Sequence, residues 1–371
     1  LKYLKKTIFI SAGDPSGDIH AARLMEKLLL LNPSIEFIGI GGKEMEKWNF
    51  TSIVPMEQIS VVGFWEVAKR YSFFKKLLQE CKDLIKDKNI DLFLPIDYPG
   101  FNIRLAGFVK EQHIPIYYYI APQLWAWGKS RTANLQESID KLFVVFPFEE
   151  EFFRNQGIDA KFIGHPLLDD MRFLNINQKR ENNLIALLPG SRLQEVKNHL
   201  KLFINVIKEA NKLNNFKFAI AKSSNIDILH FEEILKLKNV ELWEDSIELM
   251  KVAKIGIVKT GTSNLEAALS GMPFIMIYKT SQLTYNIGKY LINLDYISLV
   301  NILQHKSVIP ELIQSDANPK NIAKELNSLY VDEDRINFIN SEFQQIREKL
   351  GEYSASETLA QIIYSEVLNE K

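Results

Sequence analysis

Short runs of β-branched and aromatic residues recur along the chain, each followed by a turn and then by apolar positions at helical spacing. That alternation marks parallel βαβ units, whose strands are buried on both faces and read as continuous apolar runs. In the first half the runs are Thr7–Ile10, Phe37–Ile40, Leu92–Ile96, Ile116–Ile120, Leu142–Phe146 and Phe162–Ile163, enough for one doubly wound sheet. The polar stretch Asp169–Asn183 breaks the rhythm; Leu184–Leu188, Phe218–Ala221, Val240–Trp243, Ile255–Val258 and Phe274–Tyr278 resume it. The pattern predicts an α/β protein with two Rossmann-like domains, residues 1–168 and 184–330, whose parallel sheets face a cleft. From Pro319 the chain reads as helical, with Ile336, Phe338, Ile339, Phe343, Ile346 and Leu350 near a 3.6-residue spacing. Residues 331–371 are expected to pack back on the first domain or to exchange between subunits of a homodimer.

Composition changes this picture little. A chain of 371 residues suits two cores better than one, and the 46% apolar and 25% charged content is globular. The formal net charge of -1 supplies no bulk attraction to nucleic acid. Cys81 is the only cysteine, so no intrachain disulfide and no cysteine-rich metal site can form, and a reducing cytoplasmic setting fits. The six histidines lack H-x-x-x-H or H-E-x-x-H spacing, and no G-x-S-x-G elbow occurs, so neither a metal nor a serine-hydrolase role is expected. The apolar stretch Ile8–Ile10 is too short for a signal-peptide core and reads as a first strand. Ile114–Trp127, broken by Pro115, Pro122 and Gln123, falls short of the roughly 20 residues of a membrane span.

Chemistry concentrates in the turns after strands, where open α/β sheets place their ligands. The first reads Ser11-Ala12-Gly13-Asp14-Pro15-Ser16-Gly17-Asp18; it lacks G-x-G-x-x-G spacing, and its acidic residues suit sugar hydroxyls better than pyrophosphate. Asp14, Ser16 and Asp18 are therefore candidate substrate ligands, or else helix caps. The turn Ile96-Asp97-Tyr98-Pro99-Gly100-Phe101-Asn102 offers Asp97 as a general base for an attacking alcohol, unless it caps the next helix. In the second half, Gly190, Ser191 and Arg192 open a helix in a manner suited to a diphosphate, without P-loop order, or else form a plain Pro-Gly turn with a solvated Arg192. Lys259-Thr260-Gly261-Thr262-Ser263-Asn264-Leu265-Glu266 is a second such turn, with Thr262 and Ser263 for phosphate and Glu266 for ribose, or a plain helix cap. His165, in Gly164-His165-Pro166, could donate to a phosphate or cap a turn. In Val61–Glu80, Phe64, Val67, Ala68, Tyr71, Phe74, Leu77 and Leu78 form one helical stripe; Trp65 and Phe73 lie beside Lys69 and Arg70. Phe64, Trp65, Lys69, Arg70, Phe73 and Phe74 thus suit an acyl chain or a membrane boundary, though an amphipathic helix on a core fits equally.

Together, Ser11–Asp18, Ile96–Asn102, Ala121–Trp127, Phe146–Glu149, Phe162–Pro166, Leu187–Arg192, Gly261–Glu266 and Tyr296–Asn301 resemble lipid-A-disaccharide synthase, in that family's order and through nearly the whole chain. The resemblance implies a B-type glycosyltransferase fold and a metal-independent, cofactor-free reaction. UDP-2,3-diacylglucosamine and 2,3-diacylglucosamine 1-phosphate would give a β-1,6-linked disaccharide phosphate and UDP, at the inner face of the cytoplasmic membrane of Gram-negative bacteria. By motif position Asp97 is similar to the family's base, and Arg192 to its nucleotide-side arginine. Glu195 follows in the same motif, and Asn301 falls in the family's Ser-Leu-x-Asn element. Asp14-Pro15 stands where the family has Glu and a small residue, and Gly100 where many members have a second Asp, so Asp97 is expected to lack a neighbouring carboxylate. A UDP-sugar 2-epimerase and a noncatalytic lipid-binding relative remain open alternatives.

Overall fold

The alternation resolves into two wholly parallel sheets. The computed structural model describes residues 4–59, 70–127, 132–173, 179–224, 226–280, 295–351 and 354–369. In the first sheet β1 (Lys6–Ala12), β2 (Ile35–Ile40), β3 (Phe50–Ser52), β4 (Leu92–Ile96), β5 (Tyr117–Tyr119), β6 (Lys141–Val144) and β7 (Ala160–Phe162) take the order β3-β2-β1-β4-β5-β6-β7. In the second, β8 (Glu181–Leu188), β9 (Lys217–Ala221), β10 (Val240–Trp243), β11 (Ala253–Lys259), β12 (Phe274–Tyr278) and β13 (Glu311–Ile313) take the order β10-β9-β8-β11-β12-β13. The central strands owe their place to apolar residues on both faces: Ile8, Phe9 and Ile10 of β1 and Leu92, Phe93 and Leu94 of β4 are fully buried.

In each sheet the order reverses beside the first strand, where β1 pairs with both β2 and β4, and β8 with both β9 and β11. The turns leaving these strands open helices: α1 (Pro15–Leu31) after β1, α2 (Tyr71–Asp87) before β4, and α3 (Pro99–Glu111) after it. α4 (Pro147–Arg154) follows β6; in the second sheet α5 (Leu193–Ala210) follows β8 and α6 (Thr262–Leu269) follows β11.

The chain divides into two compact units, Leu1–Asp169 with Leu350–Lys371, and Asp170–Lys349. The expected return of C-terminal helices to the first unit is met, but it begins at Leu350 and not at residue 331. Helices α7 (Pro319–Val331) and α8 (Glu333–Lys349) belong to the second unit, where Phe343 stacks on Phe274 at 6.0 Å and Lys349 Nζ donates to the Leu303 carbonyl. Only the stretch after Lys349 joins the first unit. There α9 (Ala355–Ile363) packs on α1, and Glu366 accepts from the Tyr117 hydroxyl and the Lys141 ammonium, each at 2.7 Å. Among the described residues no helix is long and apolar enough to cross a membrane.

Candidate active site

The turn after β4 is built from left-handed backbone. Asp97 (φ 44°) and Tyr98 (φ 53°) both occupy that region, as does Ile120 (φ 64°) just past β5. A β-branched residue there is a true outlier, and such strain persists where surrounding bonds fix it. Here the Asp97 amide donates to the Tyr119 carbonyl, the Ile120 amide donates to the Phe143 carbonyl, and the Asp97 carbonyl accepts from the Tyr118 hydroxyl and the Asn102 side chain. α3 begins with Tyr98 as its N-cap and has no side-chain cap, so the Asp97 carboxylate is not spent on the helix; it takes the neighbouring Tyr98 amide. Burial, reinforced by the negative charge of Asp14, pushes the Asp97 carboxyl up to about 6.

Asp97 borders a cavity of about 550 Å³ in the first unit. Its apolar walls include Ile103, Ile120, Leu124 and Phe146, and its polar lining includes Arg104, Gln123, Asn134 and Glu149. Glu149 is the acidic residue that sequence reading does not single out. It is buried, and its carboxylate accepts from the Trp125 indole N–H at 2.9 Å and from the amides of Val145 and Phe146. Burial, and to a smaller extent the charge of Asp97, lifts Glu149 to about 7. The expected isolation of Asp97 is therefore corrected: no carboxylate replaces Gly100, but Glu149 lines the same cavity and Asp14 is close enough to raise Asp97.

Several expected substrate ligands instead hold the backbone. Asp18 is buried and accepts from the amides of Gly42, Glu44 and Met45, fastening the loop after β2. Asn102 is buried between β1 and β4; it donates to the Ser11 and Asp97 carbonyls and accepts from the Ser11 hydroxyl at 2.6 Å. Its role is to join the two turns. His165 is buried against Phe146; burial and nearby His20 push it down to about 3, so the ring is neutral, and its Nδ1 accepts from Leu167 N. The ring thus caps the turn through Nδ1 and keeps Nε2–H as its donor. Asn301 in the second unit donates to the Ile309 carbonyl and Glu311 and accepts from the amides of Val308 and Ile309, leaving it a structural tie. Asp14 caps α1 through the Gly17 amide at 2.7 Å but stays exposed beside Ser16, so both keep a surface available to a ligand.

In the second unit β8 and β11 lie side by side, so the turns that leave them are neighbours. Both contain a glycine in the left-handed region, Gly190 (φ 103°) and Gly261 (φ 138°). Arg192 caps α5 and Gly261 caps α6 by position only; neither helix has a side-chain cap. Thr262 is exposed at the first turn of α6. Helix starts side by side favour an anion. Glu195 is not itself suited to hold one: its carboxylate pairs with Arg192 at 3.2 Å and with Lys259 at 3.1 Å. Glu195 thus supports two cations at the expected nucleotide site. Ser263 hydrogen-bonds Glu266, whose carboxyl is raised by burial and opposed by that bond and by the charge of Arg172.

Of the proposed acyl-contact residues, Phe64, Trp65 and Lys69 lie outside the described residues. Phe73 and Phe74 are half-buried against the core of the first unit, as an amphipathic helix on a core requires, and Phe73 does so from outside the expected stripe; Arg70 lies over the Phe73 ring at 4.7 Å. Among the described residues no group of three or more His, Cys, Asp or Glu could hold a metal ion.

Comparison with known proteins agrees with this framework. The kitacinnamycin glycotransferase superposes with a TM-score of 0.67 at 12% identity, covering 98% of this chain and 100% of its own. A putative UDP-N-acetylglucosamine 2-epimerase from Listeria monocytogenes reaches 0.64 at 13% identity, covering 98% and 96%. These likenesses bear on fold alone, and the fold is the two-Rossmann arrangement of B-type glycosyltransferases. Sequence relatives go further. The lipid-A-disaccharide synthase of Syntrophus aciditrophicus is 35% identical, and that of Geobacter sulfurreducens 33%, each alignment covering 96% of both chains. The family model for lipid-A-disaccharide synthetase matches residues 8–364. With its motifs in order and its length spanned, the chain belongs to the lipid-A-disaccharide synthetase family.

Proposed function

We propose that the protein transfers 2,3-diacylglucosamine from UDP-2,3-diacylglucosamine to 2,3-diacylglucosamine 1-phosphate, forming the β-1,6-linked disaccharide 1-phosphate and UDP. The observation that carries this reading is Asp97: a carboxylate at a strand end, not spent as a helix cap, held up to about 6 on the wall of a largely apolar cavity. Such a group is ionised near neutrality and still basic enough to take a proton. Asp97 removes the proton of the acceptor 6-hydroxyl, whose oxygen attacks C1 of the donor sugar. The bond from C1 to the diphosphate oxygen breaks and UDP leaves, inverting the anomeric centre.

The UDP diphosphate is assigned to Gly190, Ser191, Arg192, Gly261 and Thr262, with Glu266 near the ribose. Arg192 and the two helix starts meet the charge that develops on the leaving group, so the reading calls on no metal. Acylated substrates set the work at the inner face of the cytoplasmic membrane, with the protein bound peripherally.

Mass spectrometry of products from a defined acylated UDP-sugar, with and without the lipid phosphate acceptor, tests the reaction. Acceptor-dependent disaccharide with stoichiometric UDP is expected. Product formed from donor alone would point to an epimerase, and vesicle binding without any UDP release to a noncatalytic relative.

A further inference from the structure

We propose that Lys259 is a second diphosphate-binding cation, held in place by Glu195. The inference rests on the reading of the second unit as the UDP site, and extends it to a residue that the phosphate-loop pattern passes over. Lys259 is the last residue of β11, which pairs with β8 in register Val258 to Leu188, so it ends beside the Pro189-Gly190 turn. Its side chain crosses between the two glycine turns. A Cβ added to Gly190 would meet Lys259 Cδ at 3.4 Å, and one added to Gly261 would meet Nζ at 3.7 Å.

The charge balance favours an anion. Glu195 Oε2 lies 3.1 Å from Lys259 Nζ, and its Oε1 lies 3.2 Å from Arg192 Nη1. One carboxylate shared by two cations leaves a net positive charge beside the uncapped starts of α5 and α6. Lys259 is the more sheltered of the two cations, with 21% side-chain exposure against 58% for Arg192. An interaction made there is less screened than one at the surface. Glu195 is a positioning residue: it fixes both cations from behind and keeps them from repelling each other.

Calorimetry with UDP, UMP and uridine on the full chain tests this, comparing wild type, Lys259→Met and Lys259→Arg with thermal unfolding as a fold control. Loss of a charge-assisted phosphate contact is expected to weaken UDP binding about tenfold to hundredfold in Lys259→Met, while uridine binding stays unchanged. Lys259→Arg should recover most of the UDP affinity. Lys259→Met binding UDP within about twofold of wild type, or losing uridine and UDP equally, would overturn the proposal. Wild type that binds no UDP at all would overturn the donor-site reading and this inference with it, a result distinct from an unaffected variant.

Discussion

At the residue scale the site rests on what surrounds Asp97. Burial contributes most to its raised value and Asp14 adds to it, so the two are separable by experiment. A base works only when deprotonated, so kcat/KM should climb with pH through about 6 and level off above. Asp14→Asn removes the neighbouring negative charge, lowers the Asp97 value and should move that acid limb to lower pH, the more so at low ionic strength. An unmoved limb would mean that Asp14 does not act on the base. Asn102→Ala should cost about 1–3 kcal/mol of stability, read from denaturant unfolding, because it removes the acceptor of the Ser11 hydroxyl and a donor to each of the Ser11 and Asp97 carbonyls in a buried spot. Asp97 was legible from its place after a buried strand. Glu149 was not, because an acid in the first turn of a helix reads as an ordinary helix-start residue, and its carboxylate does take the Phe146 amide. The backbone bonds of Asp18, Asn102 and Asn301 were not legible for a related reason: a polar side chain in a turn looks the same whether it meets a ligand or a neighbouring amide, and only the tertiary fold shows the amides it holds.

At the element scale the apolar runs located the long central strands, since burial on both faces leaves a continuous pattern. β3 and β13 were missed: Phe50–Ser52 and Glu311–Ile313 are three-residue edge strands, too short to carry a period and only partly buried. α2 keeps Phe74, Leu77 and Leu78 of its expected stripe against the core but departs from it at Phe73, which packs there too, and at Tyr71, which is exposed. The glycine turns carry a sharper consequence. Gly190→Ala forces a side chain into left-handed backbone and within 3.0 Å of the Glu195 carboxylate. The variant should lose about 1 kcal/mol or more of stability and bind UDP more weakly, measured by thermal shift with and without UDP. Unchanged UDP binding would remove this turn from the donor site.

At the scale of the whole molecule the chain interleaves its two units: the first is completed only by residues after Lys349. The polar stretch near Asp169 disclosed one crossing. The return of the C-terminal helices to the first unit was legible but its start at Leu350 was not, because the helical spacing runs from α7 through α9 and does not say which sheet each helix covers. Deleting Leu350–Lys371 strips α9 from α1 and removes Glu366 from Tyr117 and Lys141. Scanning calorimetry should show the first unit melting earlier, and sugar transfer should fall while UDP binding by the second unit persists; loss of both together would contradict this division of labour. The most direct test of the central claim is the pH dependence of disaccharide formation by wild type and a folded Asp97→Asn variant. The account predicts an acid limb near pH 6 in wild type and a rate about 10²–10⁴-fold lower in the variant, with that limb gone. Near-normal turnover by Asp97→Asn would contradict it.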